Sequence, residues 1–297
     1  MRGPGLIITA DDFGLHPSIN RAVELAHRDG VLAAASLMVG APAAPDAVAR
    51  AHACPRLRVG LHLVLADGRP TLPPQDIPDL VDDDGRLKAQ TPAGMAREGM
   101  RFFGLARVRR QLAREIQAQF EAFAATGLAL DHVNAHKHFH LHPTVLALVV
   151  EIGRGFGLRA VRLPQDAGMP AWLRPWLALQ RARLAAAGIA HNDYLVGLRQ
   201  SGRFDTATLL RALHRLPRTG IGELYVHPAL ASGAAIAPSM RGYRHADEFA
   251  ALVSPRVAWA RDCLWAQGYR FGGFGDLAVP AAPAAPAARA TSAASAP

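Results

Sequence analysis

Between Asp131 and Pro143 the chain reads Asp131-His132-Val133-Asn134-Ala135-His136-Lys137-His138-Phe139-His140-Leu141-His142-Pro143, placing five histidines on residues of one parity. In an extended segment, residues of one parity share a face. His132, Asn134, His136, His138, His140 and His142 would therefore line up for as long as the strand lasts. Neutral imidazole is the commonest protein ligand for a transition metal, and two imidazoles two residues apart can converge on one ion. Pro143 opens the apolar run Val145-Leu146-Ala147-Leu148-Val149-Val150, which reads as a helix start and ends the strand. One or two ligands are expected here, with the other histidines beside them or at the substrate. The bland alternative is a solvated polar turn. A fortuitous histidine tag would sit at a terminus, and this stretch is mid-chain.

Three other places carry matching chemistry. Asp11-Asp12 follows the apolar run Leu6-Ile7-Ile8-Thr9-Ala10, His62 ends Leu57-Arg58-Val59-Gly60-Leu61, and His227 ends Gly222-Glu223-Leu224-Tyr225-Val226. An aspartate before a helix is an ordinary N-cap. Two adjacent ones after a buried strand repel each other unless a cation offsets them. Taken alone, His62 reads as a core or turn histidine, and His227, before Pro228, divides evenly between a catalytic acid and a turn residue. Together, carboxylate and imidazole suit Zn²⁺ or another divalent ion with a position left open for water. Such an ion lowers the pKa of bound water toward about 7 and polarises a carbonyl.

Residues so far apart in sequence meet only if the fold gathers strand ends. Strand-like runs over residues 6–10, 34–39, 57–63, 158–164, 194–198, 222–227 and 269–272, with the histidine stretch, alternate with helical patterns. That alternation predicts a mostly parallel sheet of seven or eight strands in a TIM-barrel-like (β/α) barrel, with an open doubly wound sheet as the other arrangement. In a parallel barrel all strand C-termini lie on one face, where active sites are built. Phe13-Gly14-Leu15-His16-Pro17-Ser18 recurs as Phe139-His140-Leu141-His142-Pro143-Thr144, an echo expected of repeated strand-to-helix corners. The Pro/Asp/Gly-rich segment from Asp67 to about Gly94 reads as a loop over one face. Residues 1–277 are expected to form one barrel domain, and the Ala/Pro-rich tail 278–297 to be disordered.

Half of the 297 residues are hydrophobic, enough for a sizeable core, and no run approaches the ~18 apolar residues of a membrane span. The two cysteines, Cys54 and Cys263, form no framework and fit a reducing compartment, so a cytoplasmic location is expected. The net charge of +9 is almost all arginine, scattered in a way that does not predict nucleic-acid binding. Met169 to Leu184 mixes Trp172 and Trp176 with leucines and arginines, the composition of an interfacial helix or of an ordinary barrel helix. The oligomeric state is not legible.

In order and spacing, Ala10-Asp11-Asp12-Phe13-Gly14, Gly60-Leu61-His62-Leu63, His132-Val133-Asn134-Ala135-His136-Lys137-His138-Phe139-His140 and Val226-His227-Pro228-Ala229 resemble the YdjC-like carbohydrate deacetylases. The likeness spans roughly Leu6 to Asp276, and Ser36-Leu37-Met38-Val39-Gly40-Ala41-Pro42 is similar to the hopanoid-biosynthesis-associated (HpnK) subgroup. The resemblance implies a (β/α)-barrel enzyme that removes acetyl from an N-acetylated sugar, with a divalent metal, Zn²⁺ or Mg²⁺, as cofactor. It implies Asp12, His62 and His136 as metal ligands, Asp11 as general base, and His227 as acid or as partner of the base. His138, His140 and Asn134 would lie in the surrounding shell or at the substrate. Asn134 stands where the family often has Asp, so a charged role at that position is not expected. The subgroup implies a glucosaminyl-type sugar on a hopanoid lipid, with peripheral contact at the inner membrane. A hydrolase of another ester or phosphoester and a non-enzymatic metal- or sugar-binding barrel are the competing functions.

Overall fold

The computed structural model describes residues 3–166, 173–231 and 236–278. In chain order the regular elements are β1 (Gly5–Phe13), α1 (Pro17–Arg28), β2 (Ala34–Leu37), α2 (Ala44–Ala53), β3 (Arg58–Leu63), α3 (Pro92–Gly104) and α4 (Ala106–Ala125). They continue as β4 (Val133–Ala135), α5 (Pro143–Gly153), α6 (Arg174–Ala186), β5 (Tyr194–Val196), α7 (Thr206–His214), β6 (Ile221–Val226), α8 (His245–Leu252), α9 (Pro255–Ala266), β7 (Arg270–Phe271) and α10 (Phe274–Leu277).

The seven strands form one sheet in the order β4-β3-β2-β1-β6-β5, with β7 also paired to β1. Every strand pairing is parallel. The sheet curls into a distorted barrel. Between β4 and β5, among the described residues, the ring is carried by two parallel bridges, Val133 with Val161 and Ala160 with Ala190. The run Leu158–Pro164, expected as a full strand, thus contributes bridges and no strand.

β1 lies at the centre of the sheet, and all nine of its residues are buried. A parallel strand covered on both faces must be apolar throughout, which Leu6, Ile7, Ile8 and Ala10 satisfy. The helices pack outside. α4 buries Val108, Leu112, Ile116, Phe120 and Phe123 along one stripe, as its amphipathic pattern requires. α6 behaves as an ordinary barrel helix, with Leu177 and Leu184 buried. Trp176 Nε1 and Gln180 Nε2 both donate to Leu141 O, at 3.1 Å each, which ties α6 to the histidine stretch. Trp172 lies outside the described residues, as does the tail beyond Ala278. Among the described residues no helix is long and apolar enough to cross a membrane.

The segment after Asp67 lies against α4 rather than loose in solvent. Three polar side chains one helical turn apart replace the backbone partners that irregular chain lacks. Gln119 brackets Val64 through both its N–H and C=O, at 2.9 Å each. Glu115 accepts from Thr71 N (2.7 Å) and Leu72 N (3.0 Å), and Gln111 accepts from Asp79 N (2.9 Å). Buried Glu115 therefore serves as the loop's anchor, and Glu115→Ala strands two backbone donors. That substitution is expected to lower unfolding stability by about 2–4 kcal/mol in a denaturant titration. It should also open residues 67–90 to limited proteolysis; unchanged stability and cleavage would refute the anchoring.

Candidate functional site

Asp11 and Asp12 belong to β1 itself, not to a loop after it. In a regular strand, neighbours point to opposite faces. Here the pairing of β1 with β2 slips between Ala10 and Phe13, and Asp12 takes the left-handed region with φ 62°. The bulge brings both carboxylates to one imidazole: His62 Nδ1 is 4.0 Å from Asp11 Oδ1, and His62 Nε2 is 3.3 Å from Asp12 Oδ1. Among the described residues the non-glycine positions with positive φ are Asp12, Asp67, Lys137 and His138, and all four gather here. Each costs about 1–3 kcal/mol, which persists only where surrounding contacts over-determine it.

His62 and Asn134 are direct neighbours in the β3–β4 register. His62 Nδ1 lies 2.6 Å from Asn134 Oδ1, an acceptor, so Nδ1 carries the proton and Nε2 is left with a bare lone pair facing Asp12. His136, just past the end of β4, sets its Nδ1 3.1 Å from the same Asp12 Oδ1. Its Nε2 lies 3.7 Å from Asp67 Oδ2, which Lys137 Nζ approaches at 3.3 Å. Both Asp12 oxygens and His62 Nε2 are buried and without a hydrogen-bond partner. Asp12, His62 and His136 offer ligand atoms that all lie within 4.8 Å of one another. One carboxylate oxygen and two imidazole nitrogens, all from buried residues, fit a divalent ion with an open position. Burial works against the charged forms here, but the Asp12 carboxylate raises His136 to about 9. Burial likewise pushes Asp12 up, yet the facing imidazoles hold it well below the carboxylate range.

Asp11 has a different partner. Arg162, fully buried, clamps it through Nη1–Oδ2 (2.5 Å) and Nη2–Oδ1 (2.9 Å). The same guanidinium clamps Glu223 on β6 through Nε (2.9 Å) and Nη2 (2.7 Å). Burial raises the Asp11 carboxyl, but Arg162 more than reverses this and keeps it ionised. Neither Arg162 nor Glu223 was singled out in the sequence; the available signal is a charge within a strand-like run, Glu223 alone in its run and Arg162 sharing its run with Arg159.

The shared-face reading of the histidines holds only as far as Ala135, where β4 ends. Left-handed Lys137 and His138, both at φ 55°, then turn the chain into a tight helical segment over His136–Leu141. His138 Nε2 is directed to Tyr225 Oη (3.4 Å) and His140 Nε2 to Arg162 O (2.9 Å), beside Asp11 and its arginine. Burial depresses both imidazoles, with Arg162 adding to it, His140 to about 3. His142 turns away to α3, its ring 4.5 Å from Phe103. His227 follows β6, with Nε2 3.9 Å from Asp12 Oδ2, and burial lowers it to about 4 against the pull of Asp12 and Asp11. The fold thus brings Asp11, Asp12, His62, Asn134, His136 and His227 to one mouth, with His138 and His140 on its Arg162 side.

The YdjC-like protein family matches residues 5–261. The chain is 30% identical over 252 residues to a carbohydrate deacetylase of Brevibacillus brevis, covering 85% of this chain and 92% of that one. It is 31% identical over 254 residues to a carbohydrate deacetylase of Geobacillus stearothermophilus, covering 84% and 90%. A solved structure from Enterococcus faecalis V583, named for cellobiose-phosphate cleavage, shares the fold with a TM-score of 0.74. That likeness holds at 24% identity over 93% of this chain and 100% of that one.

An ion bound at His136 must displace the proton that Asp12 holds there up to about pH 9. Apparent Zn²⁺ affinity should therefore rise about tenfold per pH unit between pH 6 and 8, with about one proton released per ion. Calorimetry in buffers of different ionisation heat reads both quantities. Affinity independent of pH would remove His136 from the ligand set.

Proposed function

The chain belongs to the YdjC-like protein family, and from that membership we propose that it is a carbohydrate deacetylase, a hydrolase that removes the N-acetyl group of an acetylated amino sugar. The observation that carries the reading is Asp12 Oδ1, buried and set between two imidazole nitrogens at 3.1 and 3.3 Å, a spacing at which a cation can replace the proton between carboxylate and imidazole. Held by Asp12, His62 and His136, a divalent ion such as Zn²⁺ or Mg²⁺ would supply Lewis acidity toward water and the acetamide oxygen.

The remaining work falls to side chains. Asp11 is the base that accepts the proton of the attacking water. Arg162 fixes both its oxygens, which orients the carboxylate and keeps it ionised. Because the guanidinium also serves Glu223, Asp11 does not face an undivided positive charge. Attack at the acetamide carbon is followed by cleavage of the C–N bond, and the departing nitrogen needs a proton. His227 is the group we favour for delivering it: burial lowers its pKa to about 4, so it rests neutral, takes up the proton that Asp11 drew from water and passes it to the nitrogen, its transient charge favoured by the carboxylates of Asp11 and Asp12. His138 and His140 instead face the Arg162 cation, which opposes protonation. The products are acetate and the free amino sugar.

The substrate we favour is an N-acetylglucosaminyl hopanoid. What supports it, beside the likeness of Ser36–Pro42 to the hopanoid-associated subgroup, is a cavity of about 330 Å³ that opens beside His136. Its walls include Leu15, Met38, Pro42, Val64, Ile236 and Met240, an apolar side suited to an aglycone, with Asp67, Arg69 and Arg86 on the same cavity to meet polar groups. Such a substrate resides in a bilayer, so this reading includes peripheral contact with the inner membrane from the cytoplasm.

Asp11→Asn should lower acetate release from an N-acetylglucosaminide by at least about 10²-fold while zinc content stays at one per chain. Wild-type turnover in that variant would overturn the assignment of the base. For the aglycone, octyl N-acetylglucosaminide should exceed free N-acetylglucosamine in kcat/KM by more than about tenfold, and equal values would remove the lipid-linked substrate.

A further inference from the structure

One line of buried polar groups is not used by the chemistry above. It starts at the N-terminal end of β4, where Asp131 accepts from the backbone N–H groups of Phe274 (3.0 Å) and Gly275 (2.8 Å) at the start of α10. Asp131 Oδ2 lies 2.9 Å from His132 Nδ1, and His132 Nε2 lies 3.0 Å from Ser36 Oγ on β2. Ser36 Oγ is 2.9 Å from Asn134 Nδ2, whose other hydrogen is directed to Asp11 Oδ1 at 3.2 Å. Asn134 Oδ1 faces His62 Nδ1 at 2.6 Å. His132, Ser36 and Asn134 are all fully buried, and each finds its partners within the line.

The two carboxylates at the ends can only accept, which fixes every proton between them. His132 must carry its hydrogen on Nδ1 toward Asp131, so its Nε2 accepts from the Ser36 hydroxyl. The Ser36 oxygen then presents a lone pair and accepts from the Asn134 amide. That directs Asn134 Oδ1 to His62, places the His62 hydrogen on Nδ1, and bares Nε2 toward Asp12. With the amide reversed, its oxygen would face the Asp11 carboxylate, and His62 would carry its hydrogen on Nε2, where no ion could bind. Space is reserved for the line as well. A Cβ on Gly60 would lie 2.5 Å from His132 Cε1, and the other face of that ring stacks on Phe274 with centroids 4.8 Å apart.

We propose that Asp131, His132 and Ser36 are positioning residues that act through Asn134 to hold His62 in its metal-binding tautomer. Although Asp131, His132 and Ser36 follow the order of a hydrolase triad, the hydroxyl is fully buried and its lone pair is engaged by Asn134, so it is no nucleophile. The inference rests on the metal reading of Asp12, His62 and His136, and its test is made first on metal-free protein so that the two can fail separately.

Nitrogen-15 spectra of histidine-labelled, zinc-free protein should show His62 and His132 both protonated on Nδ1, with bare Nε2. Either ring protonated on Nε2 instead reverses the polarity and overturns the proposal. In Ser36→Ala the His62 Nε2–H form should appear and Zn²⁺ affinity should fall about 10- to 100-fold, with Ser36→Thr restoring both. Affinity within twofold of wild type in folded Ser36→Ala would overturn it too. If that variant does not fold, the wild-type spectrum decides alone. The expected tautomers in a protein that takes up no zinc would support the relay and refute the metal reading.

Discussion

A surplus of buried negative charge is the constraint on which the site depends. Asp11, Asp12 and Glu223 are at most 3% exposed, and the only fully buried cation among the described residues is Arg162. With neutral imidazoles around them, three carboxylates against one guanidinium leave two negative charges in a dry interior. Isolated buried charge is expensive enough that a protein ordinarily neutralises it by pairing or by protonation. Arg162 accounts for Asp11 and Glu223 through four hydrogen bonds and leaves Asp12 out. Asp12 therefore needs either a proton on His136 or a cation in its place. A divalent ion matches the two missing charges.

That constraint explains why the fold accepts local strain where it does. Both aspartates come from adjacent positions of the central strand, and a flat β1 would have sent one of them out of the site. The bulge at Ala10–Phe13 and the left-handed Asp12 reconcile burial of the apolar half of the strand with convergence of its acidic end. On the opposite side, Lys137 and His138 bend the chain sharply after β4, so that His136 remains at the mouth while His138 and His140 are carried toward Arg162. Left-handed Asp67 brings the α4-anchored loop back against His136.

What the sequence made legible was the chemistry that repeats a residue type. Paired aspartates, histidines at strand ends and alternating strand and helix patterns led to the parallel barrel and to Asp11, Asp12, His62, His136 and His227 at one mouth. Geometry that departs from a regular period was not legible. Alternation in the histidine stretch suggested a strand face, yet two left-handed residues end the strand after Ala135, and nothing in Lys or His as residue types announces φ 55°. α3 begins at Pro92, within a segment whose Pro and Gly content argued for loop, because Thr91 caps it through Gly94 N. Arg162 and Glu223 went unseen for another reason. A charge within a strand-like run gains meaning only from its partner, which here lies 61 residues away.

Asn134 shows why the amide suits this particular arrangement. An aspartate there could accept from His62 Nδ1 equally well. It could not donate to Asp11 Oδ1, now 3.2 Å from Asn134 Nδ2, nor to Ser36 Oγ at 2.9 Å. It would instead add a fourth carboxylate to a site that already lacks compensation for two, with Asp11 as its immediate neighbour. The neutral amide joins the base, the ligand histidine and the buried serine without adding charge. The position is thus better read as a coupling between Asp11 and His62 than as an acid missing its proton: displacing Asn134 would disturb the base and the metal ligand together.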